Sequence, residues 1–151
     1  QEVWRELAQD EVSAATRKEV VIMASMIEKE AAAPEERPLI AVVFYNRLQL
    51  GMRLQSDPTV MYGRNPQAGP ITRDDLRTVT PYNTYVIDGL PAGPICNPGR
   101  GALAAALHPT ATEHLYFVAK NDGSHQFNTT LSEHNKAVQK YQRKKSAENG
   151  K

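Results

Sequence analysis

The hydrophobic pattern of the chain changes character twice along its length. Residues 20–27 read VVIMASMI, almost continuously apolar, and run straight into the helix formers of residues 28–33. That stretch is too long for an ordinary strand, so it predicts a buried helix over about residues 18–33. A short entry helix at 4–7 and a polar break at 13–16 precede it. Within the main helix, Lys18, Ser25 and Lys29 fall on one stripe, which marks the expected solvent side. Pro34 opens a second helix, since proline suits a first turn and Glu35 and Glu36 favour the N-terminal dipole. Its buried side is expected from Leu39, Val42, Val43, Phe44, Leu48 and Leu50, with Gly51 as the stop.

From residue 52 to 99 the periodicity dissolves into prolines, glycines and asparagines with short apolar pieces between them. Ordered loop is expected there, with one strand within 54–62 and another at 84–87. A short helix at 102–107 is stopped by Pro109. Residues 115–119 and 125–128 flank Asn121-Asp122-Gly123, a hairpin signal. Ser132 is placed to cap a last helix running through Tyr141. These elements predict an α+β fold, a helical front half packed on a small antiparallel sheet. The boundaries are one domain over residues 1–151, an ordered core at about 4–143 and a basic polar tail at 144–151.

Composition narrows the function classes. A chain of 151 residues, 40% hydrophobic and 23% charged, is long enough for one real core. A net charge of +1 gives no general basic field, so nucleic-acid binding has no support. Cys96 is the single cysteine, which excludes an internal disulfide and a thiol zinc site; it is expected to be a small buried hydrophobe. His108, His114, His125 and His134 form no His-Glu-x-x-His pair, so neither a metal site nor a cofactor is expected. No stretch reaches the length of a membrane span.

Two acids, Glu28 and Glu30, leave the core helix together. Glu30 stacks over Met23, Met26 and Ile27, near the apolar face, whereas Glu28 stacks over Val21 and Ala24, nearer the boundary. An acid against apolar side chains is desolvated and its pKa rises, as a general acid near neutral pH requires. The competing reading makes both of them solvated helix-end glutamates, pairing with Lys29, Arg37 or Arg47.

Several blocks then resemble one family in order and spacing: ASMIEKEAA, VVFYNRLQLGMRLQSDPTVMYG, PYNTY, GLPAGPICNPG, LYFVAKNDGSHQF and HNKAVQKYQ. Over almost all of residues 24–143 the chain is similar to the catalytic domain of the MltG-type (YceG-like) endolytic murein transglycosylases. The resemblance implies an enzyme that cleaves the MurNAc–GlcNAc bond inside peptidoglycan glycan strands, leaves 1,6-anhydroMurNAc ends and limits the length of new strands. It implies action on the outer face of the bacterial cytoplasmic membrane. Family members carry a membrane anchor and a LysM-like module ahead of this domain. Neither is expected in this chain, which would be a soluble fragment with peptidoglycan glycan strands and cell-wall synthases as partners.

Other lytic transglycosylases place their acid in a Glu-Ser-Ala type sequence at a helix end. Glu30-Ala31-Ala32 is the similar position, with Ala31 in place of the hydroxyl residue, which makes Glu30 the catalytic choice in a lysozyme-like active-site helix. Glu28 is the reserve, as a second acid or a modulator of Glu30. Gln55, Ser56 and Asp57, with Tyr82, Asn83 and Tyr85, are the candidate substrate-binding residues, although Asp57 equally suits a turn before Pro58 and the tyrosines equally suit the core. Asn46 and Arg47 are expected as exposed helix residues, with ligand binding the alternative for Asn46, so near the predicted site. His125 and Phe127 share one strand face, where packing is expected over catalysis. A noncatalytic peptidoglycan-binding module uses the same tyrosines and amides, but it has no need of a desolvated acid. An interaction domain in a cell-wall synthesis complex could coexist with catalysis.

Overall fold

A computed structural model describes residues 14–149 of the protein. The expected entry helix at 4–7 lies outside the described residues. Helix α1 spans Ala14–Glu30 and is followed by a tight 3-10 turn at Pro34–Glu36. Helix α2, Arg37–Gln49, follows directly. The loop-rich middle holds two single-turn helices, α3 at Asp57–Met61 and α4 at Arg73–Arg77. Helix α5 spans Arg100–Leu107, strands β1 and β2 are Tyr116–Ala119 and His125–Asn128, and α6 is Leu131–Asn149. The fold is α+β, as expected. The described residues contain no helix long and apolar enough to cross a membrane.

Helix α1 is the axis of the core. Ile22 to Ile27 are all buried, and Ala102, Ala105 and Ala106 of α5 and Ile40, Ala41 and Phe44 of α2 close around them. The alanines let α5 approach closely, so between Ile22 and Ile27 α1 is covered on nearly all sides, while Lys18 and Lys29 stay exposed. This overturns the expected solvent stripe at Ser25, whose side chain has no exposed surface. Its hydroxyl donates to Ile22 O at 2.6 Å and accepts from Ile95 N–H at 3.1 Å. A polar residue in the core is stable there because both its donor and its acceptor are used. Cys96 is half-buried rather than fully buried, and its thiol donates to Ser25 O at 3.3 Å. Burial raises the thiol pKa.

The helix starts four residues earlier than expected, so Ala14 to Thr16 belong to it and not to a polar break, and it ends three residues earlier, at Glu30. On α2, Leu50 is 64% exposed and contributes nothing to the core, while Ile40 and Ala41 are fully enclosed. Asn46 and Arg47 are tethers rather than exposed helix residues. Asn46 donates to Thr112 O and His114 O, both at 2.9 Å. Arg47 donates to Leu115 O and Arg53 O, and its guanidinium lies 4.9 Å from the centre of the Tyr116 ring. Together they fasten the chain entering β1 to α2.

The only described sheet is the expected hairpin, β1 antiparallel to β2, with Phe117 opposite Phe127 and Ala119 opposite His125. Asn121 and Gly123 supply left-handed turn residues, at φ 65° and 88°. The strands expected within 54–62 and at 84–87 do not form. Pro58 instead sits in the first turn of α3, a place that tolerates its missing N–H. Thr84 to Ile87 form turns in which Val86 and Ile87 N–H donate to Asn83 O.

Helix α6 packs across both strands and extends beyond the expected end at Tyr141 into the segment read as a tail. Its cap is Thr130, not Ser132. The Thr130 hydroxyl accepts from Glu133 N–H at 3.2 Å while the Glu133 carboxylate accepts from Thr130 N–H and hydroxyl. That is a reciprocal capping box beginning two residues before the expected cap. Replacing Thr130 with Ala should cost about 1 kcal/mol. Ser132→Ala should change stability by no more than a few tenths of a kcal/mol. Urea unfolding of the two variants checks the assignment, since equal losses would contradict the cap.

Candidate active site

Glu30 is the last residue of α1, and it points into a cavity of about 320 Å³. Leu54 and Gln55 line the cavity from the loop after α2, Asp57 from the start of α3, and Tyr85 from the next turn. Val43 and Arg47 come from α2 and Phe117, Val118, Ala119 and His125 from the hairpin. His134, Val138 and Gln142 of α6 complete it. A second cleft of about 380 Å³, bounded by Lys29, Met61, Tyr62 and Ile95, shares Asp57 with the first.

Burial raises the Glu30 carboxyl to about 7, and the nearby Asp57 charge adds to the rise. The Ser56 hydroxyl opposes it by donating to Glu30 Oε1 at 2.8 Å. A rise from the ordinary 4.5 to about 7 corresponds to roughly 3 kcal/mol in favour of the neutral acid. Glu30 is therefore substantially protonated at neutral pH yet able to lose its proton, which suits a group that must both give and take one.

Ser56 precedes α3 in the capping position but makes no cap bond, because its hydroxyl is committed to Glu30. Two buried threonines hold it in place. Ser56 N–H donates to the Thr84 hydroxyl at 2.8 Å, the Thr84 and Thr59 hydroxyls share a bond of 2.8 Å, and Thr59 donates to Ser56 O at 2.6 Å. Gln55, the residue before, has φ of 50° in the left-handed region. For a residue with a Cβ this costs of order 1 kcal/mol, and it is held by Gln55 N–H donating to Thr84 O at 3.2 Å. Asp57 accepts from the Tyr85 hydroxyl at 2.5 Å. Burial and the Asp57 carboxylate raise the Tyr85 phenol above its ordinary range, so it stays a donor.

Of the expected site residues, Glu30, Gln55, Ser56, Asp57 and Tyr85 come together, with Ser56 reaching the site through its bond to Glu30. Glu28 lies elsewhere. Its carboxylate is 3.8 Å from Arg37, beside Gly99, where an added Cβ would stand 3.2 Å from Glu28 Oε1. For Glu28 the ion-pair reading holds. Asn83 is fully enclosed by its own loop, its amide donating to Asp75 O, Leu76 O and Thr78 O and accepting from Tyr85 N–H. Tyr82 packs beside Gly93 and against Tyr62, ring centres 4.6 Å apart, so it meets the second cleft only through Tyr62.

Sequence reasoning missed Thr59 and Thr84, which carry no local signal for a role beneath the site. It took His125 as packing, and Glu36, its partner 89 positions away, lay beyond any spacing argument. Among the described residues no group of three or more His, Cys, Asp or Glu side chains is gathered for a metal.

The YceG-like family model matches residues 1–140 of the chain. The chain belongs to the YceG-like family. An endolytic murein transglycosylase of Bacillus subtilis (strain 168) is 49% identical over 122 residues, which is 81% of this chain and 34% of that protein. One from Streptococcus pneumoniae serotype 2 is 39% identical over 109 residues, 69% of this chain and 20% of that protein. A 2.6 Å crystal structure of a yceG-like protein from Listeria monocytogenes superposes with a TM-score of 0.74 at 46% identity, covering 80% of this chain and 39% of that one. This YceG-like chain thus spans about a third or less of the length of the curated relatives it matches.

The buried carboxyl makes stability depend on pH. In the unfolded chain Glu30 ionises near 4.5, in the folded one near 7. Between those values the folded state holds the extra proton, so stability falls as pH rises through the window. Glu30→Gln removes the fall. The stability of Glu30→Gln relative to the unsubstituted protein should increase by up to about 3 kcal/mol between pH 5 and pH 8. Urea unfolding at both pH values measures it, and a difference independent of pH would mean that the carboxyl is solvated. Ser56→Ala should push the Glu30 titration higher still, as followed by carboxyl NMR.

Proposed function

We propose that this YceG-like chain is the catalytic part of an endolytic peptidoglycan lytic transglycosylase. The observation that carries the reading is the Glu30 carboxyl, held near pKa 7 at the end of a core helix and opening into a cavity. A noncatalytic binding module has no use for an acid desolvated in this way. The names of the Bacillus and Streptococcus relatives support the same reading. Two clefts meeting at Asp57 suit a strand that passes across the site, as internal cleavage requires.

One carboxyl is enough for this chemistry. Protonated Glu30 donates to the glycosidic oxygen as the bond to C1 of MurNAc breaks, and the GlcNAc hydroxyl leaves. The C6 hydroxyl of the same MurNAc then attacks C1 and gives its proton to the Glu30 carboxylate. The products are a 1,6-anhydroMurNAc end and a free GlcNAc end, with no water consumed and Glu30 protonated again. Ser56 orients the carboxyl through Oε1. Asp57, fixed by Tyr85, keeps negative charge near C1, which suits an oxocarbenium-like transition state. Tyr85 and Gln55 are the proposed sugar contacts. Acting on the outer face of the cytoplasmic membrane beside cell-wall synthases, such an enzyme would limit the length of new strands.

Glu30→Gln should fold and lose activity by about a hundred- to ten-thousand-fold. Glu28→Gln, which weakens the Arg37 pair outside the cavity, should keep most of it. Digests of purified glycan strands analysed by mass spectrometry check both claims. Reducing MurNAc ends as the main product would replace the transglycosylase with a hydrolase. An inactive Glu28→Gln beside an active Glu30→Gln would reverse the assignment of the acid.

A further inference from the structure

The cavity around Glu30 contains a second prepared side chain that the chemistry above does not use. His125 of β2 lines it, and its imidazole is fixed on several sides. Nδ1 lies 3.1 Å from Glu36 Oε1, and the His125 backbone N–H donates to the two oxygens of the same carboxylate at 3.1 and 2.9 Å. Both side chains are about one-tenth exposed, at 10% and 11%. Phe117 meets the ring edge-on at 5.4 Å and Phe127 lies at 6.3 Å. Glu36 is itself held at the junction of the 3-10 turn and α2.

This arrangement determines what the ring offers to the cavity. A carboxylate only accepts hydrogen bonds, so Nδ1 carries a proton and, in the neutral ring, Nε2 is left as an acceptor. Among the described residues no hydrogen-bond partner meets Nε2, and the residue lines the cavity beside Glu30. A histidine serving only as packing needs no carboxylate clamp on one nitrogen and an open acceptor on the other. The nearby carboxyls of Glu30 and Asp57 disfavour an anionic ligand group and favour a neutral donor.

We propose that His125 is a substrate-binding residue, its Nε2 accepting a hydrogen bond from a sugar hydroxyl of the glycan strand beside Glu30, with Glu36 setting the tautomer. The inference rests on the glycan reading above. The same clamp-and-orient logic fixes metal-bound histidines, with a sugar hydroxyl here in place of the ion.

Two measurements separate this role from a structural one. His125→Asn keeps an amide N–H at the Nδ1 position for Glu36 and removes Nε2. It should melt near the unsubstituted protein and raise KM for solubilised glycan strands about three- to tenfold with little change in kcat. Wild-type KM in a folded His125→Asn protein would overturn the proposal. A second measurement needs neither turnover nor that variant. In Glu30→Gln protein carrying 15N-labelled histidine, adding uncleaved strands should move the His125 Nε2 resonance and leave Nδ1 in place. Strand binding with Nε2 unmoved sinks the proposal alone. No strand binding at all removes the glycan reading and the proposal with it.

Discussion

A carboxyl group at Glu30 has to be kept out of water without being left unpaired, and most of the structure follows from meeting both conditions. Dryness comes from α1, whose last turns are enclosed by α2, α5 and the loop after α2, so the acid emerges directly from the core. Pairing comes from one hydroxyl, Ser56, which steadies the group without neutralising the effect of burial. A stronger partner such as an arginine would have held the carboxylate ionised and removed the proton donor. The site is a compromise in which desolvation outweighs a single hydrogen bond.

That hydroxyl is maintained at a visible local cost. Ser56 would normally cap α3, and Gln55 adopts a conformation that side chains avoid. Both departures are absorbed by Thr59 and Thr84, which bond to each other and to the Ser56 backbone inside the protein. Local rules are broken here and repaired by long-range contacts, a pattern expected where function constrains the chain.

This division explains how much was legible in the sequence. The buried character of α1 and the hairpin at Asn121–Gly123 are carried by strong local signals, and both appear as expected. The same α1 pattern misassigned Ser25, because helical periodicity assumes one wet face and the Ile22–Ile27 stretch of this helix is covered nearly all round. Apolar fragments around Val60 and Val86 looked like strands for want of pairing partners, which no local window reveals. At the site, stacking on the helix distinguished Glu30 from Glu28, and the loop residues Gln55, Ser56, Asp57 and Tyr85 gathered around it. Tyr82 and Asn83 have the same chemistry but were drawn into loop packing, and Arg47 became a tether. Those outcomes depend on which distant backbone carbonyls need a donor.

The walls of the Glu30 cavity come from α1, α2, two loop segments, the hairpin and α6, positions 30 to 142 of the chain. Contacts so widely spaced in sequence are slow to form, because each closes a long loop before its neighbours can reward it. Helices α2 and α5 enclose α1, the acid's own helix, and the hairpin and α6 close the far walls of its cavity. Until α6 docks, Glu30 is less enclosed than in the folded protein and closer to an ordinary carboxylate's acidity.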